Sequence, residues 1–164
     1  MRILLYSPSL AVDLLSINFG HQAFLGRSDL IKRGVISFLA KDFPSAGYSL
    51  LPQAEGIATQ VLQEDGLLKQ THGFPVWTKE HPDSNFHGKS CKNIVNAVNG
   101  AAASGDVSRL RHVLAWLKQD KIEDIRRIRN KLLHGTMLDI SEHEVSSVVL
   151  LIQALHHGVI GKAI

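Results

Sequence analysis

Asp120-Lys121-Ile122-Glu123-Asp124-Ile125-Arg126-Arg127-Ile128-Arg129-Asn130-Lys131-Leu132-Leu133-His134-Gly135 is the stretch whose reading decides the fold class. Asp120 followed by Glu123 resembles a capping box. Ile125 and Leu132 mark an apolar stripe, and Gly135 closes a helical run. Arg126, Asn130 and His134 are spaced i, i+4, i+8 and share the opposite, polar face. Arg129 lies elsewhere, close to the apolar stripe. Five residues of helix rotate by about 500°, so Arg129 and His134 point in different directions on one helix.

The same 3.6-residue period extends in both directions. Downstream, Ser141 and Glu144 form a second capping box, and Val145, Val148, Val149, Ile152 and Leu155 give a final core helix. Upstream, Leu30, Ile31, Val35, Phe38 and Leu39 fall on one face behind Ser28 as N-cap. After Pro44 a second helix runs to about Asp65, with Tyr48, Leu51, Ala54, Ala58, Val61 and Leu62 as its stripe and Gly66 as its C-terminal cap. These two helices are expected to form an antiparallel hairpin. Ile94 to Ala103 reads as a short helix. Asp106 caps another, with Leu110, Val113, Leu114 and Leu117 at core spacing.

No segment alternates with period two. Residues 67–90, with Gly73, Pro75, Pro82 and Gly88, read as a long loop. The fold expected is all-α, a four- to five-helix bundle over residues 27–164. It is preceded by a segment, 1–26, whose structure the pattern leaves open.

Composition agrees with a globular domain: 164 residues, 45% hydrophobic and 20% charged. Met1 to Tyr6 begins like a signal peptide, but Pro8 and Asp13 interrupt it. No run approaches the roughly 20 apolar residues of a membrane span, so a soluble protein with no membrane contact is expected. The lone Cys91 has no partner for an internal disulfide, which points to a reducing, cytoplasmic setting. The net charge of +3 permits contact with a polyanion without requiring it. The basic residues concentrate only at Arg126, Arg127, Arg129 and Lys131.

Two residues sit oddly in this pattern. Glu55 falls in the apolar stripe of its helix and Arg129 beside that of another. A carboxylate there needs a partner or water, so the two are expected to pair across the helix interface. A purely structural ion pair, or an exposed Glu55, would explain the same placement. His72, His81, His87 and Cys91 fit no closed zinc spacing, and neither a metal nor a cofactor is expected. Trp77 and Phe86 either stack on bases or anchor the long loop. His156 and His157 read as a solvated helix end.

The segment Ile128 to Gly135 resembles the Arg-Asn-x-x-x-His signature of the HEPN superfamily. Phe38 to Phe43 and Leu50 to Gly56, with Pro52-Gln53-Ala54-Glu55, are similar to paired helices upstream of the motif in one HEPN subgroup. Together the resemblance spans about residues 27–157. It implies a HEPN-type bundle that forms a homodimer through the motif-bearing helix. It also implies a metal-independent endoribonuclease, a toxin or defence effector with an antitoxin protein as partner, that cleaves RNA by attack of the ribose 2′-hydroxyl. On that reading Arg129 stabilises phosphate charge, His134 exchanges a proton, Asn130 orients His134 and Glu55 supports Arg129. Arg126, Arg127 and Lys131 would add phosphate contacts. A non-catalytic helical module for protein or nucleic-acid binding is the alternative. Arginine and histidine in a last helical turn also complement the helix dipole with no further role.

Overall fold

The computed structural model describes residues 14–15, 20–111, 117, 119–135 and 139–160. They are mostly helical: α1 (Gln22–Leu25), α2 (Ser28–Leu39), α3 (Phe43–Glu64), α4 (Ile94–Ala103), α5 (Gln119–Leu133) and α6 (Glu142–Ile160). Among them no helix is long and apolar enough to cross a membrane.

The 22-residue α3 is the central element. Its start is set by Asp42, whose side chain accepts from Ser45 N–H at 3.2 Å, and by Pro44 in the first turn. At its other end Leu67 N–H reaches Leu62 C=O at 2.9 Å and Gly66 N–H reaches Gln63 C=O at 3.0 Å, the paired bonds of a Schellman cap. Leu50, Ala54, Ile57, Ala58 and Val61 are fully buried along it, against α2, α4 and α6. Burial of each leucine or isoleucine here stabilises the fold by about 1.5–3 kcal/mol. Pro52 sits on the exposed side, so the ladder bond it cannot donate is lost where water replaces it.

The α2–α3 hairpin is present, with a narrower stripe than the period implied. Ile31, Val35 and Phe38 are buried, whereas Leu30, Leu39 and Tyr48 are exposed by 44, 37 and 65%. They sit at the margins of their helix faces, beyond the reach of the facing helix. The chain before residue 27 contributes to the same core: Leu14, Ala23 and Phe24 are fully buried. Phe24 meets the His156 ring edge-on at 5.5 Å. His156 is therefore buried rather than part of a solvated end, and only His157 is exposed. Burial, then the neighbouring His157, lowers the pKa of His156.

The segment read as a long loop contains an antiparallel β-hairpin, β1 (Leu68–Thr71) with β2 (Phe74–Trp77). Its two-residue turn is His72-Gly73, with φ of 51° and 83°. Positive φ at both central positions suits the right-handed twist of the strands, and glycine supplies one of them without strain. Pro75 is accommodated because it pairs with Gln70 at a site where its missing N–H would face away from β1. On that outer edge Pro75 C=O accepts from Cys91 N–H at 2.8 Å, and Trp77 N–H donates to Lys89 C=O at 3.0 Å.

Trp77, 2% exposed, fastens the hairpin to α4. A Cβ on Gly100 would collide with its indole ring, so only glycine allows this approach. His81 and Phe86 pack on the same indole at 5.1 and 5.4 Å. Of the two roles open to Trp77, anchoring is the one its burial supports.

Asp120 lies inside the first turn of α5, after Gln119, rather than at its N-cap. The Ser141–Glu144 box is formed. Ser141 N–H donates to Glu144 at 2.8 Å, and Glu144 N–H donates back to Ser141 Oγ at 3.3 Å. Leu110 and Leu117 are buried as expected, while Val113 and Leu114 lie outside the described residues.

Gly100→Ala is expected to lower stability by about 1–3 kcal/mol through overpacking against Trp77. Urea unfolding followed by far-UV circular dichroism measures this, and an unchanged midpoint would contradict the close approach.

Candidate functional site

Glu55 and Arg129 meet. Glu55 Oε1, from the middle of α3, lies 3.3 Å from Arg129 Nε on α5. The same oxygen accepts from Ile94 N–H, in the first turn of α4, at 3.1 Å. One carboxylate oxygen thus joins three helices, and its negative charge complements the N-terminus of α4. Asn93 caps α4 by accepting from Asn96 N–H at 2.9 Å. Both members of the ion pair are partly open to solvent, with side chains 32 and 26% exposed. Among the described residues Arg129 is engaged only through Nε, which leaves its terminal nitrogens Nη1 and Nη2 with their donors.

Arg129 also lines a cavity of about 240 Å³, together with Asn93, Val95 and Asn96 of the α4 end and Arg126 and Asn130 of α5. Asn93 also lines a second cavity of about 450 Å³, with Glu55, Phe74, Pro75 and Cys91 among its walls. A third, of about 510 Å³, shares Glu55, Thr59 and Pro75 and reaches Arg27. The second and third depressions share Glu55, and the first and second share Asn93. Cys91 is 3% exposed, and burial together with the charge of Glu55 pushes its thiol up to about 12. It stays protonated at neutral pH and is no nucleophile.

Asn130 and His134 are exposed on the outer face of α5. A backbone bond joins them, His134 N–H to Asn130 C=O at 3.0 Å, and their side chains do not hydrogen-bond to each other. Within one chain, then, the structure brings Glu55 to Arg129 and leaves His134 apart from both. Leu133 is 63% exposed beside them.

The remaining basic residues are already paired. Arg126 Nη1 lies 2.9 Å from Glu123 and Arg127 Nη2 lies 2.8 Å from Asp124. Lys131 Nζ reaches Glu144 at 2.9 Å and Asp139 C=O at 2.6 Å, which points it at the start of α6. Arg127 and Lys131 thus hold intrachain carboxylates, and Arg126 also borders the cavity.

The histidines of the hairpin region serve its architecture. His81, 1% exposed, bonds Gly100 C=O through Nε2 at 2.9 Å, and His87 Nε2 meets His81 C=O at 2.7 Å. His72 is in the turn. Among the described residues no three His, Cys, Asp or Glu side chains gather as a metal site would require.

A cluster that the sequence reading did not find lies on the α6 side of α5. Asp124, 2% exposed, receives His143 Nδ1 and Ser147 Oγ, each at 3.0 Å, besides Arg127. The available signal was an aspartate next to Ile125 facing the polar positions His143 and Ser147, four apart, of a core helix. These bonds satisfy a buried carboxylate and fix the α5–α6 contact.

No family model, no curated protein and no solved structure matches this chain.

The Lys131–Glu144–Ser141 network positions the end of α5 that carries His134. Burial by itself would raise the Glu144 pKa. The Ser141 N–H, the Lys131 ammonium and the Ser141 hydroxyl outweigh it and hold the carboxyl below the usual range. A depressed folded-state pKa contributes stability above the unfolded value, lost as pH falls through the folded one. Glu144→Gln is expected to cost about 1 kcal/mol at pH 7. The gap to wild type should close on acidification below about pH 4. Thermal melts at pH 7 and pH 3 check this, and a gap that persists at pH 3 would contradict the ionic contribution.

Proposed function

We propose that this protein is a metal-independent endoribonuclease of HEPN type whose site is completed by a second copy of the chain. The observation that carries this reading is the state of Arg129. Its Nε is held by Glu55, among the described residues its other nitrogens have no bond, and the residue lines a cavity with three asparagines, Asn93, Asn96 and Asn130. A fixed guanidinium with free parallel donors matches a phosphodiester. His134 is exposed, and an imidazole is the side-chain type suited to proton transfer. Arg129 and His134 diverge on one helix, so their convergence on one phosphate requires two copies. The exposed Leu133, set among Arg126, Asn130 and His134, gives that face an apolar centre for such contact.

In the proposed reaction one His134 removes the proton of a ribose 2′-hydroxyl. The 2′-oxygen attacks the adjacent phosphorus, and the bond from phosphorus to the 5′-oxygen breaks. The departing oxygen takes a proton from water, and the protonated His134 returns its proton to the hydroxide so formed. Arg129 offsets the charge that builds on the non-bridging oxygens. The products carry a 2′,3′-cyclic phosphate and a 5′-hydroxyl. A toxin or defence effector restrained by an antitoxin protein is the setting in which such an activity would be used.

One observation favours a second reading. The bond from Ile94 N–H to Glu55 gives the carboxylate a purely architectural reason to be where it is. On that view the same face binds a protein or nucleic acid without catalysis.

The test is incubation of the full chain with RNA in the presence of a chelator, with product ends mapped. Wild type is expected to leave cyclic phosphates. Arg129→Ala and His134→Ala should each lower the rate by at least about 100-fold. His134 is exposed, so its variant keeps the fold. Cleavage that survives both substitutions removes the site; tight RNA binding with no cleavage favours the second reading.

A further inference from the structure

The cavity next to Arg129 has the chemistry of a base pocket. Its volume of about 450 Å³ lies within the range of clefts that enclose small ligands. One wall is Phe74, at the turn end of β2, a residue 66% exposed. A phenylalanine this open on a hairpin gains little for folding, yet it offers a flat apolar face to a planar group. Opposite in character is Glu55. Both of its internal bonds fall on Oε1, and among the described residues Oε2 accepts none. Lys92, exposed, brings a positive charge to the same lining. The cavity and the Arg129 depression share Asn93 as a lining residue, and Glu55 bonds Arg129 directly.

We propose that this cavity is a nucleobase subsite that selects bases bearing an exocyclic amine, namely adenine, cytosine and guanine over uracil. The base stacks on Phe74 and donates its amine hydrogen to Glu55 Oε2, while its phosphate lies toward Arg129 and Lys92. Selection follows from hydrogen-bond polarity. A carboxylate oxygen accepts and never donates, so it rewards an amine. Uracil has an N–H donor too, but it is flanked by two carbonyl oxygens that the carboxylate repels. The subsite deepens the ribonuclease reading by naming what lies next to the scissile phosphate, and it rests on that reading for its biological role. Binding itself does not require cleavage.

The experiment is titration of the full-length protein with AMP, CMP, GMP and UMP, followed by calorimetry and by NMR shifts. The three amine-bearing nucleotides are expected to bind about tenfold tighter than UMP. Phe74→Ala should weaken them by about tenfold and Phe74→Tyr should retain them, since stacking carries the contact. Phe74 is exposed, so both variants fold. Thr59→Phe, which fills the cavity, should abolish the preference. Arg129→Ala should weaken all four nucleotides alike and keep their ranking.

Equal binding of all four nucleotides, binding by Phe74→Ala at wild-type strength, or no binding of any would overturn the subsite. The nuclease reading is judged separately, by whether wild type cuts RNA. Cutting without base preference sinks the subsite alone. A base preference in a protein that cuts no RNA leaves the subsite standing and removes the nuclease.

Discussion

A single carboxylate oxygen, Glu55 Oε1, accepts from the backbone N–H of Ile94 and from the side chain of Arg129. The arrangement of α3, α4 and α5 around the candidate site depends on that convergence. Remove the oxygen and two donors lose their partner together, one at a helix N-terminus and one charged. The cost would fall on the place where the three helices meet rather than on the apolar core behind it. Because the pair is partly open to solvent, its value lies less in net stability than in direction. It fixes the guanidinium through Nε beside the asparagine-lined cavity that Arg129 borders.

The helix that carries Arg129 is asymmetric about this contact. One flank turns toward α3 and α4 and holds Arg129. The other turns toward α6, where Asp124 and Lys131 are consumed by His143, Ser147 and Glu144. Between the flanks run Arg126, Asn130, Leu133 and His134, exposed. Both flanks are thus fixed internally, and the strip between them is exposed. A motif read as one unit in the sequence is in physical terms two units, an anchored arginine and an outward histidine.

What the sequence disclosed follows from how far each signal reaches. The α2–α3 hairpin rests on period and the α6 start on its capping box, and both were legible, although Ser28 lies inside α2 and Arg27 takes the N-cap position without a side-chain bond. Glu55 and Arg129, 74 positions apart, were legible for a different reason: each is a charge in an apolar stripe, and two such anomalies of opposite sign solve each other. The β-hairpin was not, because two strands of four residues give too short an alternation, and only Leu68 and Trp77 within them are buried. Its clue was the turn, where His72 shares with Gly73 a positive φ seldom adopted by a non-glycine residue. The pairing of Arg127 and Lys131 was equally hidden, since a basic run says nothing of which carboxylates face it. Tyr48 was placed in a stripe by period alone, although the facing helix is too narrow to cover it.

The central claim is that Arg129 of one copy and His134 of another serve the same phosphodiester, and subunit complementation tests it most directly. Arg129→Ala and His134→Ala proteins, each inactive alone, are mixed, dissociated and reassociated before RNA is added. In a shared-site dimer half of the molecules are mixed, and each mixed molecule has one intact site. The account predicts recovery of about a quarter of wild-type cleavage. No recovery, with the mixed dimer shown to form, would contradict it.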